Sequence, residues 1–148
     1  MKQGLKKAAR LDIEIAGIGI DTWGVDYGYL DEEGRLISNP FCYRDPKNAG
    51  AMAEMDQKWD FAECYRIAGI QKLDFNTMYQ LYYDVKHRKY IVDAAKDILF
   101  MPDLFAYFLT GKKVCEYSIA STGQLLDAKK RDFSDKILEE IGIGRELF

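Results

Sequence analysis

Apolar positions in the first third of the chain fall in short runs, and in the rest they recur at helical spacing. Ile13 to Ile20 is isoleucine-rich, with small Ala16, Gly17 and Gly19 that allow close packing, and it predicts a buried strand. Gly24 to Leu30 predicts a second strand. Asp31-Glu-Glu-Gly34 reads as a turn, and Arg35-Leu-Ile37 returns as the partner strand of a hairpin. Asn39-Pro40 then breaks the sheet.

Beyond that point the signals are helical. Asp60 with Glu63 has the spacing of a capping box, opening a helix that runs through Ala68 and stops at Gly69. Asn76 can cap the next helix, in which Met78, Leu81, Tyr82 and Val85 share one face. Pro102 suits the first turn of another, striped by Leu104, Phe105, Phe108 and Leu109 and ended by Gly111. Ser134 caps a last helix carrying Ile137, Leu138 and Ile141, stopped at Gly142. Together these predict an α/β class, a mixed-sheet hairpin followed by several helices. Two or three strands make a poor sheet for so many helices to cover, and the final Arg145-Glu-Leu-Phe148 has no polar tail. The expectation is one partial domain, 1–148, cut from something larger. Such a cut predicts uncovered apolar surface and self-association.

Composition changes this picture little. A hydrophobic share of 48% suits a globular fold, and a formal net charge of −3 gives no electrostatic case for a nucleic-acid partner. The apolar stretch Ile98 to Leu109 is interrupted by Pro102 and Asp103 and is too short to span a bilayer, so no membrane partner is expected. The basic N-terminal residues precede no long apolar region of the kind a secretory signal needs. Cys42, Cys64 and Cys115 are widely spaced, and with the single His87 they do not make a zinc site. Idle thiols in a reducing cytoplasm are the simpler reading.

The densest candidate chemistry lies in Asp21-Thr-Trp-Gly-Val-Asp26. Asp21 and Asp26 invite a paired-carboxylate or magnesium reading, but an odd separation in a regular strand sends side chains to opposite faces. A bend at Gly24 could still bring them together. The other reading has Gly24 offering bare backbone to a ligand while Trp23 supplies a flat apolar wall, as a sugar site would use. Tyr43-Arg-Asp-Pro46 reads as a loop braced by local hydrogen bonds. Phe75-Asn76-Thr77 serves as helix cap, ligand contact or both. Tyr117 to Thr122 gathers hydroxyls after an expected strand, with no base beside them, and His87 sits among Lys86, Arg88 and Lys89, so a Ser–His pair has no support. Neither a Gly-x-x-x-x-Gly-Lys-Ser/Thr loop nor a Gly-x-Gly-x-x-Gly turn is present, and with them no visible ATP site.

Five stretches in order carry a resemblance: Gly19-Ile-Asp-Thr-Trp-Gly-Val-Asp26; Tyr43-Arg-Asp45; Gly69-Ile-Gln71 with Phe75-Asn-Thr-Met-Tyr-Gln-Leu81; Met101-Pro-Asp-Leu-Phe105 with Leu109-Thr-Gly111; and Glu116-Tyr117 with Ala120-Ser-Thr-Gly-Gln-Leu-Leu-Asp127. From about Ile18 to Phe148 the chain resembles the FGGY carbohydrate kinase family, and within it the members acting on L-rhamnulose. The resemblance implies a two-domain, ribonuclease-H-like (actin-like) kinase that phosphorylates a sugar with ATP and Mg. It implies further that this chain is part of the N-terminal domain. The family's phosphate hairpin would precede Met1, and its catalytic aspartate and adenine pocket would follow Phe148. By the same resemblance Gly24 matches a sugar-contacting glycine, with Trp23 and Asp26 flanking it. No catalytic, cofactor or metal residue is assigned to this chain. Lys72 and Asp74 depart from the family pattern, where an apolar residue and a proline are expected. Outside the family, a metal-dependent nuclease using Asp21 or a noncatalytic sugar-binding or scaffold module remain as alternatives.

Overall fold

The computed structural model describes residues 1–148. In chain order it has helix α1 (Lys2–Ala8), strand β1 (Tyr27–Leu30), helices α2 (Lys47–Met55), α3 (Phe61–Ala68), α4 (Thr77–His87) and α5 (Lys89–Ala94), and strand β2 (Asp97–Phe100). Helices α6 (Met101–Thr110) and α7 (Tyr117–Ser121), the short strands β3 (Leu126–Asp127) and β4 (Asp132–Phe133), helix α8 (Asp135–Ile141) and a 3-10 turn at Arg145–Leu147 complete it. β1 runs antiparallel to β2, with Tyr27 opposite Phe100 and Leu30 opposite Asp97, and β3 pairs antiparallel with β4.

Helix α4 is the spine of the core. Met78, Tyr79, Leu81 and Tyr82 are buried on it, and it packs against α2, α5 and α8. Most buried polar side chains are hydrogen-bonded in sets, with Asp26 Oδ1, Asn48 Oδ1 and the Tyr82 hydroxyl the unpartnered exceptions. Tyr27 and Tyr29 both donate their hydroxyls to Asp84 Oδ2, at 2.8 and 3.1 Å, and Arg88 pairs with Asp84 Oδ1 at 3.1 Å. Burial raises both phenol pKa values, joined at Tyr27 by the Tyr29 phenol and then Asp84 and at Tyr29 by Asp84, so the two stay neutral donors. A second, smaller cluster of Leu30, Leu99, Met101 and Leu104 seats α6 on the sheet.

Most helix punctuation is as the sequence predicts. Asp60 caps α3 through the Ala62 N–H at 2.9 Å, Ser134 caps α8 through the Ile137 N–H at 3.3 Å, and Gly69, Gly111 and Gly142 stop their helices at positive φ. The capping box is only half formed, because Glu63 instead accepts from the Trp59 indole at 2.8 Å.

Three expectations are corrected. Ile13 to Ile20 forms no strand, with Ile13 and Ile18 63% and 61% exposed, because no backbone runs beside it in this chain to pair with it. The return after Asp31-Glu-Glu-Gly34 is tight, with one Leu30–Leu36 bridge, and does not grow into a ladder. β1 instead takes β2 as its partner, from far along the sequence. No strand lies between α6 and Tyr117, and the hydroxyl cluster lies on α7 and its C-terminal end.

Candidate functional site

The chain enters the candidate site through Asp21 and Thr22 and reverses at Gly24-Val25-Asp26. The Asp26 N–H donates to the Gly24 carbonyl at 2.9 Å, closing a three-residue turn, and Val25 at its centre has φ +66°. That is the rare, strained form of the γ-turn. Across the turn the Trp23 indole N–H donates to Asp26 Oδ2 at 2.7 Å, which fixes one edge of the ring while 48% of the residue stays exposed. Beyond the turn the Asp26 carbonyl accepts from Met101 N–H at 3.1 Å, tying the site to the start of α6.

Asp26 is only 2% exposed, and its Oδ1 makes no full hydrogen bond. Burial raises its pKa above the usual carboxylate value. The Trp23 indole, the Gln80 amide, the Tyr43 backbone N–H and the Lys47 ammonium act against that rise. Lys47 is itself held below its ordinary pKa by burial, with its ammonium 3.9 Å from the centre of the Phe41 ring. The result is a compact acid under the tryptophan.

Trp23 and Gly24 open on a cleft of about 380 Å³, walled by Ile18 and Thr22 on one side and by Pro102, Glu116 and Ser118 on the other. Glu116 accepts from the Ser118 hydroxyl and from the Ser118 and Ile119 N–H groups, the latter two at 2.9 Å each, and these bonds, the hydroxyl's first, lower its pKa. Nearby, the Tyr43 and Phe75 rings meet edge-on at 5.4 Å. The Tyr43-Arg-Asp-Pro46 loop is braced locally: Arg44 donates to the Tyr43 hydroxyl at 2.9 Å, and Asn48 to the Tyr43 carbonyl at 3.0 Å.

The structure brings Trp23, Gly24 and Asp26 together and leaves Asn76 apart from them. Asn76 stands at the N-cap position of α4 without capping through its side chain. It is 2% exposed, and its amide donates to the Gln71 carbonyl at 2.8 Å and to Gln124 Oε1 at 2.7 Å, so it braces two loops and is closed to a ligand here. Gly24 borders the cleft, but the side on which a Cβ would stand is filled by the protein itself. A Cβ there would lie 2.8 Å from Thr122 Oγ1, so the glycine is required by the close approach of that threonine. Asp21 is exposed and Asp26 is folded inward, so the two do not act as a pair. No three His, Cys, Asp or Glu side chains converge on one point.

Sequence reasoning missed Thr77, Gln80 and Thr122, which grip Val25 from across the fold. The signal was in the Phe75-Asn-Thr77 and Ser121-Thr122 hydroxyls, whose partners lie some 50 to 100 positions away and cannot be read locally. Cys64 and Cys115 are free thiols whose pKa values burial pushes up to about 12, which makes them inert. No helix is long and apolar enough to cross a membrane.

Known proteins frame this geometry. Over 145 residues, 98% of its length, the chain is 41% identical to a rhamnulokinase from Bacteroides thetaiotaomicron, and it covers 30% of that protein. A rhamnulokinase from Halalkalibacterium halodurans is 40% identical over 148 residues, all of this chain and 32% of that protein. The chain therefore spans about a third of the length of these relatives. Among solved structures, a ligand-bound xylulose kinase from Lactobacillus acidophilus superposes with a TM-score of 0.87 at 18% identity, covering 96% of this chain and 29% of that one. Plasmodium falciparum glycerol kinase gives 0.81 at 17% identity, covering 95% and 29%. The fold is thus the ribonuclease-H-like, actin-like α/β fold of sugar kinases. The profile described as "FGGY family of carbohydrate kinases, N-terminal domain" matches residues 1–148, and the chain belongs to that family.

Proposed function

We propose that the protein carrying this chain transfers the γ-phosphoryl group of ATP to the 1-hydroxyl of L-rhamnulose, and that residues 1–148 form part of its N-terminal domain and one wall of the sugar site. In the transfer the sugar oxygen bonds to the γ-phosphorus, the bond to the β,γ-bridging oxygen breaks, ADP leaves, and the hydroxyl proton passes to a base. The base, the phosphate-gripping groups and the Mg that accompanies ATP are assigned to parts of the protein outside 1–148. Trp23 would lie against the apolar face of the ketose, with Gly24 backbone beside it and Asp26 fixing the indole. The observation that carries this reading is the half-open Trp23 ring pinned at the mouth of a cleft walled by both apolar and polar side chains. The names of the relatives at 40–41% identity support L-rhamnulose as the sugar. An ATP-consuming sugar kinase of this kind is expected in the cytoplasm.

The test is a ketose panel on the intact protein with Mg-ATP, read by coupled ADP release. L-Rhamnulose is expected to give a kcat/KM at least about 10-fold above L-fuculose and D-xylulose, because a misplaced hydroxyl leaves buried polar groups unpaired. Preference for another ketose overturns the sugar assignment. Absence of any sugar turnover overturns the kinase reading. Residues 1–148 alone are expected to show background only, and turnover proportional to their concentration would contradict the partial-domain assignment.

A further inference from the structure

We infer that Thr122 is a positioning residue for the sugar site: its hydroxyl, acting with Thr77 and Gln80, holds Val25 in a strained turn that keeps Trp23 at the cleft and Asp26 beneath it. This rests on the reading of Trp23 as a sugar wall.

A β-branched residue at positive φ is a true conformational outlier. Val25 is one, at +66°, and it is buried. A turn needed only to reverse the chain would place glycine or asparagine at its centre. Strain of this kind persists only where the surroundings over-determine it, and here the determinants are visible. The Val25 N–H donates to Thr122 Oγ1 at 3.2 Å, and its carbonyl accepts from Thr77 Oγ1 at 2.7 Å and Gln80 Nε2 at 3.2 Å. Both backbone polar groups of this one residue are thus held by side chains from two other parts of the fold.

The Thr122 hydroxyl is committed in direction as well. Its proton is donated to the Ile119 carbonyl at 2.7 Å, which leaves oxygen lone pairs facing the Val25 N–H. Two glycines let the grip close. A Cβ on Gly24 would lie 2.8 Å from Thr122 Oγ1, and one on Gly123 would lie 2.8 Å from Thr77 Oγ1. Gly123 O also accepts from Met78 N–H at 3.0 Å, so the loop after α7 and the first turn of α4 close on the turn as one unit. Without the Thr122 hydroxyl, Val25 is free to relax toward negative φ. That rotation carries Trp23 and Asp26, which flank it, out of their mutual hydrogen bond.

The test uses the intact protein with Thr122→Val, which keeps shape and removes the hydroxyl, and Thr122→Ser, which keeps the hydroxyl. Thr122→Val is expected to raise the KM for L-rhamnulose roughly 10-fold or more through misplacement of the sugar wall, with the KM for ATP within about twofold of wild type. Thr122→Ser is expected to restore most of the sugar affinity. A second readout is hydrogen exchange at the indole N–H of Trp23, assigned by its loss in Trp23→Phe. Exchange should quicken in Thr122→Val while the indole of Trp59, bonded to Glu63 at 2.8 Å, is unchanged. If Thr122→Val does not fold, Thr77→Val removes the hydroxyl that holds the carbonyl of the same residue and should show the same pattern in weaker form. A folded Thr122→Val protein with unchanged sugar KM overturns the inference, as does Thr122→Ser impaired to the same degree as Thr122→Val. If the wild-type protein turns over no sugar, the kinase reading fails, and the indole exchange alone decides the grip: unchanged exchange overturns it.

Discussion

Residues Ile13–Ile20 and Tyr27–Leu30 lie a few positions apart and are similarly apolar, yet the first stretch is exposed and unpaired while Leu30 is fully buried in a ladder. Asp12 to Trp23 takes part in no backbone–backbone hydrogen bond, whereas β1 has β2 on one edge and the Leu36 bridge on the other. The difference lies in partners more than in side chains. An apolar run becomes a strand only where another backbone satisfies its N–H and C=O groups.

Substitution at the two ends of the comparison should give the largest contrast. Leu30→Ala is expected to cost about 2–5 kcal/mol, and Ile15→Ala less than about 0.5 kcal/mol, in urea unfolding followed by circular dichroism. Equal losses would mean that the isoleucine segment is packed in solution. Between the two segments, Gly24→Ala forces a Cβ toward Thr122 and should cost about 1–3 kcal/mol, with a raised sugar KM in the intact protein. A normal KM with a lowered melting temperature would make Gly24 a packing glycine and nothing more.

A smaller effect concerns pH. Because burial raises the Asp26 pKa, the folded state holds this proton more tightly than the unfolded chain does. The stabilisation from that proton is present in acid and fades as pH rises from about 4 through the raised value. Asp26→Asn should therefore gain melting temperature over wild type as pH goes from about 4 to about 7. A difference that stays flat with pH would show that Asp26 is ionised at little cost. The smallest effect on stability, within about 0.5 kcal/mol, is expected from Ile18→Lys on the exposed segment. Its readout is association: residues 1–148 should elute as dimers or larger species at micromolar concentration, and Ile18→Lys should shift them toward monomer. A monomeric wild-type chain would remove the case for self-association through this surface.

What was legible in the sequence was whatever local chemistry decides. Asp60, Ser134, Pro102 and the stops at Gly69, Gly111 and Gly142 act within a few residues and are found where the spacing puts them. β2 was hidden because Asp97–Phe100 runs directly into α6 and reads as part of one apolar stretch. α2 was hidden because Lys47–Met55 carries few large apolar residues to mark a face. At the site, Trp23, Gly24 and Asp26 could be singled out as adjacent unusual residues. The reason for Gly24 could not, since Thr122 stands against it from the far end of the chain. Asn76 looked open to a ligand because its Gln71 and Gln124 partners are invisible to local reading.

The pairing of β1 with β2 also sets a schedule for synthesis. Tyr27–Leu30 leaves the ribosome long before Asp97–Phe100, and α2 to α5 are made in between. At about 5–20 residues per second the edge of β1 waits on the order of 3–13 s outside the ribosome for its mate to emerge. During that interval the helices can pack among themselves, while two consecutive apolar segments remain unpaired on the nascent chain. Aggregation of a slowly translated or stalled chain should therefore begin at residues 13–30, and a chaperone that shields this protein would act there first.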